Sequence, residues 1–248
     1  MAPSTPISTA MVLAAGLGMR MRPLTLERPK PLVVLRGRTL LDRALDRVRA
    51  AGVTRTVVNT HYLAEMIEDH LSDHADIVLS PEAERLETGG GVARALPHLG
   101  DQPFFVINSD AVWHDGDVPA LNRLAAAWDP ARMDVLLLMQ PVDRAMGYHG
   151  AGDYHLAADG ALRRRGQDET TMHLFAGVQI LHPKIFHDIP DGPFSLNLLY
   201  DRAETAGRLC GLEHDSDWFH VGTPEDLAAT DAAFARLAGP SGSSGSGE

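Results

Sequence analysis

Gly16 and Gly18 close an apolar run, and Arg20, Arg22 and Lys30 follow within the string MVLAAGLGMRMRPLTLERPKP at residues 11–31. Glycines at such a turn let main-chain N–H groups approach an anion without Cβ interference. Fixed cations directly behind them are what a polyphosphate requires. Neither familiar phosphate motif is written here: the third glycine of GxGxxG is missing, and GxxxxGK[ST] is absent. Asp110 ends the segment FFVINSD, residues 104–110, which sets a carboxylate at the carboxyl end of a buried strand. That is a useful place for an oxygen ligand to a hard divalent cation. Glu87, Thr88, Gly89, Gly90 and Gly91 form a second glycine-rich turn at the head of a helical pattern, with backbone amides expected to be free for a flat ligand.

The elements that must position these groups alternate along the chain. Leu41, Ala44, Leu45 and Val48 repeat at i, i+3, i+4 and i+7, so they predict one buried helix face that stops near Gly52. A strand is expected over 56–59, a helix over 63–71, a strand over 76–79 and a fully buried strand over 104–107. A helix over 119–128 and a strand over 135–139 follow. This order implies an α/β fold, doubly wound around a mostly parallel sheet, with ligands beyond the carboxyl ends of the strands near Gly16, Asn59, Glu87 and Asp110. After about residue 141 glycines at 147, 150, 152 and 160 break the pattern, which predicts hairpins and a lid over the sheet. Helices return over 195–206 and 224–237, the second capped by Thr223 with Pro224 in its first turn.

The string LAAGLGMRMRPLT with PKP at residues 29–31 resembles the signature of the sugar nucleotidyltransferase family. LETGGGVARALPHLG, FFVINSD, FAGVQILHP and WFHVGTPEDL extend the resemblance over nearly the whole chain. SPEAERLETGGG and the GAGDY segment at 150–154 look most like the branch that uridylylates N-acetylmuramate 1-phosphate; the mannose 1-phosphate guanylyltransferases are the rival branch. The resemblance implies a Rossmann-like nucleotidyltransferase domain over 1–239 with a small sugar-binding lobe. It implies that Leu13, Ala14, Ala15, Gly16, Gly18, Arg20, Lys30, Glu87, Gly89 and Gly90 meet the nucleotide. Asn108, Gly152, Asp153, Gly177 and Asn197 fall where the family contacts the sugar. The partners implied are a nucleoside triphosphate and a sugar 1-phosphate, with Mg²⁺, or Mn²⁺, as cofactor on Asp110. Arg20 is expected on the β- and γ-phosphates and Lys30 on the α-phosphate and the sugar phosphate, so that Arg20, Lys30 and Asp110 carry the reaction. One departure stands out. Relatives usually read Trp-x-Asp-x-Gly, whereas this chain has His220 where the second metal-binding carboxylate is expected, so His220 becomes a candidate ligand for a softer ion.

Composition narrows the alternatives. A chain of 248 residues with 44% hydrophobic content can bury a full core. A net charge of −11 argues against nucleic acid as a partner, since that needs a basic face. One cysteine, Cys210, excludes an internal disulfide and fits a reducing cytoplasm, with a small buried hydrophobe as its expected role. No apolar run approaches a membrane span, so no membrane partner is expected. A nicotinamide-dependent oxidoreductase is disfavoured because Arg36 and Arg38 stand where a ribose-binding carboxylate would be. A nucleotide-binding regulatory module without catalysis is the remaining alternative class, told apart by its metal site. Residues 240–248 read as a Gly/Ser tail outside the fold.

Overall fold

The computed structural model describes residues 6–237, so the expected tail at 240–248 lies outside the described residues. A nine-stranded mixed sheet organises the chain. Its parallel centre consists of β1 (Thr9–Leu13), β2 (Arg55–Thr60), β3 (Ile77–Pro81) and β4 (Phe104–Asn108), in the spatial order β4-β1-β2-β3. The helices between them are α1 (Leu40–Ala50), α2 (Ala64–Leu71) and α3 (Glu87–Leu99), followed by α4 (Ala120–Ala127). Beyond β4 come β5 (Val135–Pro141), the hairpin β6 (Tyr154–Leu156) and β7 (Leu162–Arg164), the long β8 (His173–Leu181), α5 (Asn197–Thr205), β9 (Leu209–Glu213) and α6 (Pro224–Leu237).

The pleat explains why β1 reads as continuous apolar sequence. Successive side chains point to opposite faces, and both faces are covered. Ala10 and Val12 join a cluster with Leu41, Ala44, Leu45 and Val48 of α1, Ile67 of α2 and Leu124 of α4. Met11, between them, joins the opposite cluster with Val92 and Ala95 of α3 and Leu199 and Ala203 of α5. Cys210 is buried in β9 as a small hydrophobe. Thr39 caps α1 by accepting from the Asp42 amide at 3.0 Å, and Thr223 and Asp226 cap α6 reciprocally, each side chain accepting from the other's backbone amide.

One expectation is corrected. The segment after residue 141 is not a lid: β6 and β7 pair antiparallel, and Tyr154 pairs with His173 at the edge of the same sheet. The strand-forming residues of the hairpin found an unpaired edge on β8, which takes backbone groups that a lid would leave to solvent. A smaller sheet of Val112–Trp113, Trp218–Phe219 and Ala145–Met146 fixes the backbone just after Asp110 and just before His220.

Candidate active site

A cavity of about 380 Å³ opens beyond the carboxyl ends of β1, β2 and β4, large enough for a nucleotide-sized ligand. Leu13, Ala15, Gly16, Gly18, Arg20, Lys30, Asn59, Glu87, Thr88, Asn108 and Asp110 all line it, as do Glu82 and Arg85, which the sequence alone does not single out. The two loop glycines are there for different reasons. Gly18 has φ +60°, and a Cβ on it would lie 3.0 Å from Thr25 Cγ2 and 3.1 Å from Lys30 Cβ. The Thr25 hydroxyl donates to the Gly18 carbonyl at 2.8 Å, closing the loop on itself. Gly16 needs no positive φ, and no protein atom lies within 4 Å of where its Cβ would be. The space left by its missing side chain therefore belongs to the cavity.

Among the described residues, charge in the cavity is arranged around one free cation. Lys30 Nζ donates to Asp110 Oδ2 at 2.5 Å, so this pair is formed before any ligand arrives. Arg85 pairs with Glu87 at the other end. Arg20 has no carboxylate partner among the described residues and stands exposed at the wall. A guanidinium with no acid to neutralise it is suited to a multiply charged oxyanion. Ser109 is buried with an ordinary backbone conformation and donates its amide to the Leu13 carbonyl at 3.1 Å, which ties the end of β4 to the end of β1.

The second glycine turn behaves otherwise than expected. The Gly89 and Gly90 amides both donate to the Phe194 carbonyl, at 2.8 and 3.1 Å, and are not free for a nucleobase. A Cβ on Gly89 would meet the Phe194 ring at 2.4 Å and its carbonyl at 2.8 Å; on Gly90 it would meet the Gly192 carbonyl at 2.8 Å. Both glycines are buried and are required by close packing of the segment before α5. Glu87 and Thr88, at the tip of the turn, are the parts that face the cavity. Ala14 is also corrected: it is buried, and its amide donates to Asn59 Oδ1 at 2.8 Å.

The expected sugar contacts divide. Asn108 lines the cavity, and Gly177, at φ +81° in the register shift of β8, lies against it, with a Cβ there 3.1 Å from Asn108 Nδ2. Gly152 and Asp153 sit at the root of the hairpin: the Gly152 amide donates to the Tyr148 hydroxyl at 3.1 Å, and Asp153 Oδ2 accepts from the Phe175 amide of β8 at 2.8 Å. Asn197 opens α5 with an exposed side chain and is not among the cavity residues.

His220 does not reach into the cavity wall, which is formed at this point by Gly222. Its ring folds back over Gly222, with Nε2 3.8 Å from Asp226 Oδ2, between the rings of Trp218 and Tyr148. Burial lowers its pKa below the ordinary value, and Arg20 and Lys30 push the same way against Asp226 and Asp110. The imidazole is therefore neutral at neutral pH. Among the described residues no three His, Cys, Asp or Glu side chains converge as a metal site. Of the two expected ligands, Asp110 lines the cavity and His220 lies behind Gly222, close enough for the Asp110 charge to act on its ring. One carboxylate suits Mg²⁺, which keeps waters and takes its remaining oxygens from substrate phosphates.

Comparison with known proteins decides the family. The description of the MobA-like NTP transferase domain matches residues 10–189, more than half of the chain. This protein belongs to that family. It is 46% identical, over 91% of its length and 96% of the relative's, to the N-acetylmuramate alpha-1-phosphate uridylyltransferase of Caulobacter vibrioides. The protein of the same description from Neisseria meningitidis is 36% identical over 86% of this chain and 93% of its own. A mannose-1-phosphate guanyltransferase of Hypocrea jecorina is 28% identical, over 88% of this chain and 61% of its own. Among solved structures, UDP-glucose pyrophosphorylase in complex with UDP-glucose superposes with a TM-score of 0.74 at 16% identity, covering 93% of this chain and 99% of that one. HddC from Yersinia pseudotuberculosis superposes at 0.72 with 24% identity, covering 92% and 100%. Both share the fold of this transferase domain.

Proposed function

We propose that this transferase joins UTP to N-acetylmuramate 1-phosphate, releasing pyrophosphate, in the cytoplasmic recycling of cell-wall sugar. The observation that carries the reaction class is Arg20 standing without a counter-ion among the described residues, in the cavity that also holds the open space at Gly16. The choice of substrates rests on likeness to the uridylyltransferases, which extends over nearly the full length of both chains. No helix among the described residues is long and apolar enough to cross a membrane, in keeping with soluble substrates on both sides of the reaction.

In this reading a phosphate oxygen of the sugar 1-phosphate attacks the α-phosphorus, the bond to the bridging oxygen breaks, and pyrophosphate leaves with the electron pair. The nucleophile is already anionic, so no general base is needed, and catalysis reduces to positioning and neutralisation of charge. The Gly16 backbone gives the triphosphate close approach. Arg20 stabilises the charge that develops on the pyrophosphate, and Lys30 lies between the α-phosphate and the sugar phosphate. Asp110 would hold Mg²⁺ or Mn²⁺, which neutralises phosphate charge when bound. Asn108, braced by Gly177, faces the sugar. His220, neutral, keeps Gly222 and the start of α6 in place at the edge of the phosphate site.

The test is pyrophosphate release by the purified protein with Mg²⁺ and each pairing of UTP, GTP, CTP or dTTP with N-acetylmuramate 1-phosphate or mannose 1-phosphate. UTP with N-acetylmuramate 1-phosphate is expected to give the highest kcat/KM. A preference for GTP with mannose 1-phosphate would move the assignment to the guanylyltransferases, and silence with every pairing and metal would move it to a nucleotide-binding module.

A further inference from the structure

Between the phosphate loop and the turn at 86–88 runs a buried chain of three hydrogen bonds that none of the roles above uses. The Ala14 amide donates to Asn59 Oδ1 at 2.8 Å, Asn59 Nδ2 donates to Glu82 Oε1 at 2.7 Å, and the Leu86 amide donates to Glu82 Oε2 at 3.0 Å. Asn59 is 3% exposed and Glu82 6%. The third wall is Gly91 of α3, where a Cβ would lie 2.7 Å from Glu82 Oε1 and 3.0 Å from Asn59 Nδ2. Backbone anchors fix both ends of Glu82: its amide donates to the Thr60 carbonyl at 2.8 Å, and its carbonyl lies 3.0 Å from His61 Nδ1.

A buried carboxylate is costly unless it is paired or well hydrogen-bonded. Glu82 makes no ion pair among the described residues, although it lines a cavity that holds Arg20, Lys30 and Arg85. It has instead been given two N–H donors, one from Asn59 of β2, which in turn holds the phosphate loop through the Ala14 amide, and one from the turn at 86–88. The turn it holds is one that would not stay in place unaided. Glu87 there has φ +61°, a left-handed backbone that a residue with a Cβ adopts only when its surroundings fix it.

Resting on the nucleotidyltransferase reading, we infer that Asn59 and Glu82 are positioning residues, which set the distance between the phosphate loop and the 86–88 turn so that both ends of the nucleoside triphosphate are gripped together. They act through the Ala14 and Leu86 backbones. The sugar phosphate, bound on the Asn108 side, does not depend on them.

The polarity of the chain supplies the test. Asn59→Asp sets two carboxylates against each other, and Glu82→Gln leaves one donor facing a donor whichever way the amide turns. The exchange Asn59→Asp with Glu82→Gln restores all three bonds: Ala14 donates to Asp, Gln donates to Asp, and Leu86 donates to the Gln carbonyl. Each single substitution is expected to raise KM for the nucleotide by about tenfold or more, the scale of loss when reacting groups are misplaced, while KM for the sugar 1-phosphate stays put. A purely structural role would lower the active fraction, and so kcat, with both KM values unchanged. The exchanged protein is expected to recover kcat/KM to within about threefold, as interacting residues in a double-mutant cycle do. Should either single variant fail to fold, the exchanged protein alone decides. If it folds with wild-type thermal stability but stays as impaired as the singles, or does not fold, the inference is overturned; the first result would mean that the Glu82 charge touches the ligand itself. Turnover by the wild-type protein is measured alongside, so failure of the assigned reaction is distinguished from failure of the positioning role.

Discussion

Arg20 and Asp110 divide the electrostatic task at the level of single residues. Arg20 pairs with no carboxylate among the described residues, so its charge is free to meet a phosphate. Replacing Arg20 with Ala is expected to lower kcat by about a hundredfold or more, the scale of losing one preorganised donor; a raised KM at constant kcat would instead make it a ground-state contact. Asp110 is different because it holds Lys30 in place at 2.5 Å as well as offering an oxygen to a cation. Asp110→Ala should therefore abolish turnover with Mg²⁺ and with Mn²⁺, and turnover surviving in that variant would remove Asp110 from the metal site. His220→Ala should impair rather than abolish activity, because His220 lies behind Gly222. If His220 nevertheless meets the ion through water, Mn²⁺ will serve the wild-type enzyme at least as well as Mg²⁺ and lose that advantage in His220→Ala, which steady-state rates with the two metals would reveal.

Glycines that look alike in sequence are separated at the level of the elements they belong to. Gly16→Ala meets no protein atom, so the melting temperature should hardly move while the nucleotide KM rises, because the methyl enters space kept for ligand. Gly89→Ala meets the Phe194 ring and carbonyl, and overpacking of this kind costs about 1–3 kcal/mol. It should lower the melting temperature by several degrees, and Phe194→Ala should relieve only the part due to the ring. The first loop was legible in sequence because strand, glycines and cations are contiguous there. The second was misread because its partner, Phe194, comes more than a hundred residues later. The same division runs through the fold. Helix α1, the parallel strands and the caps of α6 follow from local periodicity and capping chemistry, and their ends fall within a few residues of expectation. The hairpin β6–β7 was taken for a lid because nothing local records that Tyr154 pairs with His173. Glu82 was invisible for a related reason: SPE after a strand is an ordinary turn until Asn59 and Gly91 are placed around it.

Across the whole molecule, histidines drawn partly or wholly out of solvent make stability depend on pH in a definite direction. Burial lowers the pKa of His114, His182, His214 and His220, so in each case the unfolded chain binds a proton that the native protein refuses. By linkage, stability is complete above the ordinary histidine pKa of about 6.5 and is lost as pH falls below it toward the folded values. Carboxylates add a second loss at lower pH with the same sign. Glu169, held near about 2 by the Gly166 amide and then by His155 and Arg163, and Asp76, lowered chiefly by Arg49, favour the native state only while ionised. His214 isolates the first window. It is wholly buried, neither ring nitrogen makes a well-formed hydrogen bond among the described residues although the Asp217 and His114 backbones lie against the ring, and Asp215 is 4.0 Å from Nδ1. An orphaned buried polar group costs about 1–3 kcal/mol, and removing it in favour of an apolar side chain of similar size is neutral or stabilising. His214→Leu should therefore melt no lower than wild type at pH 7.5, and its melting temperature should fall less steeply between pH 6.5 and 5.5. Parallel curves for the two proteins over that interval would show that His214 is not among the groups whose protonation unfolds the chain.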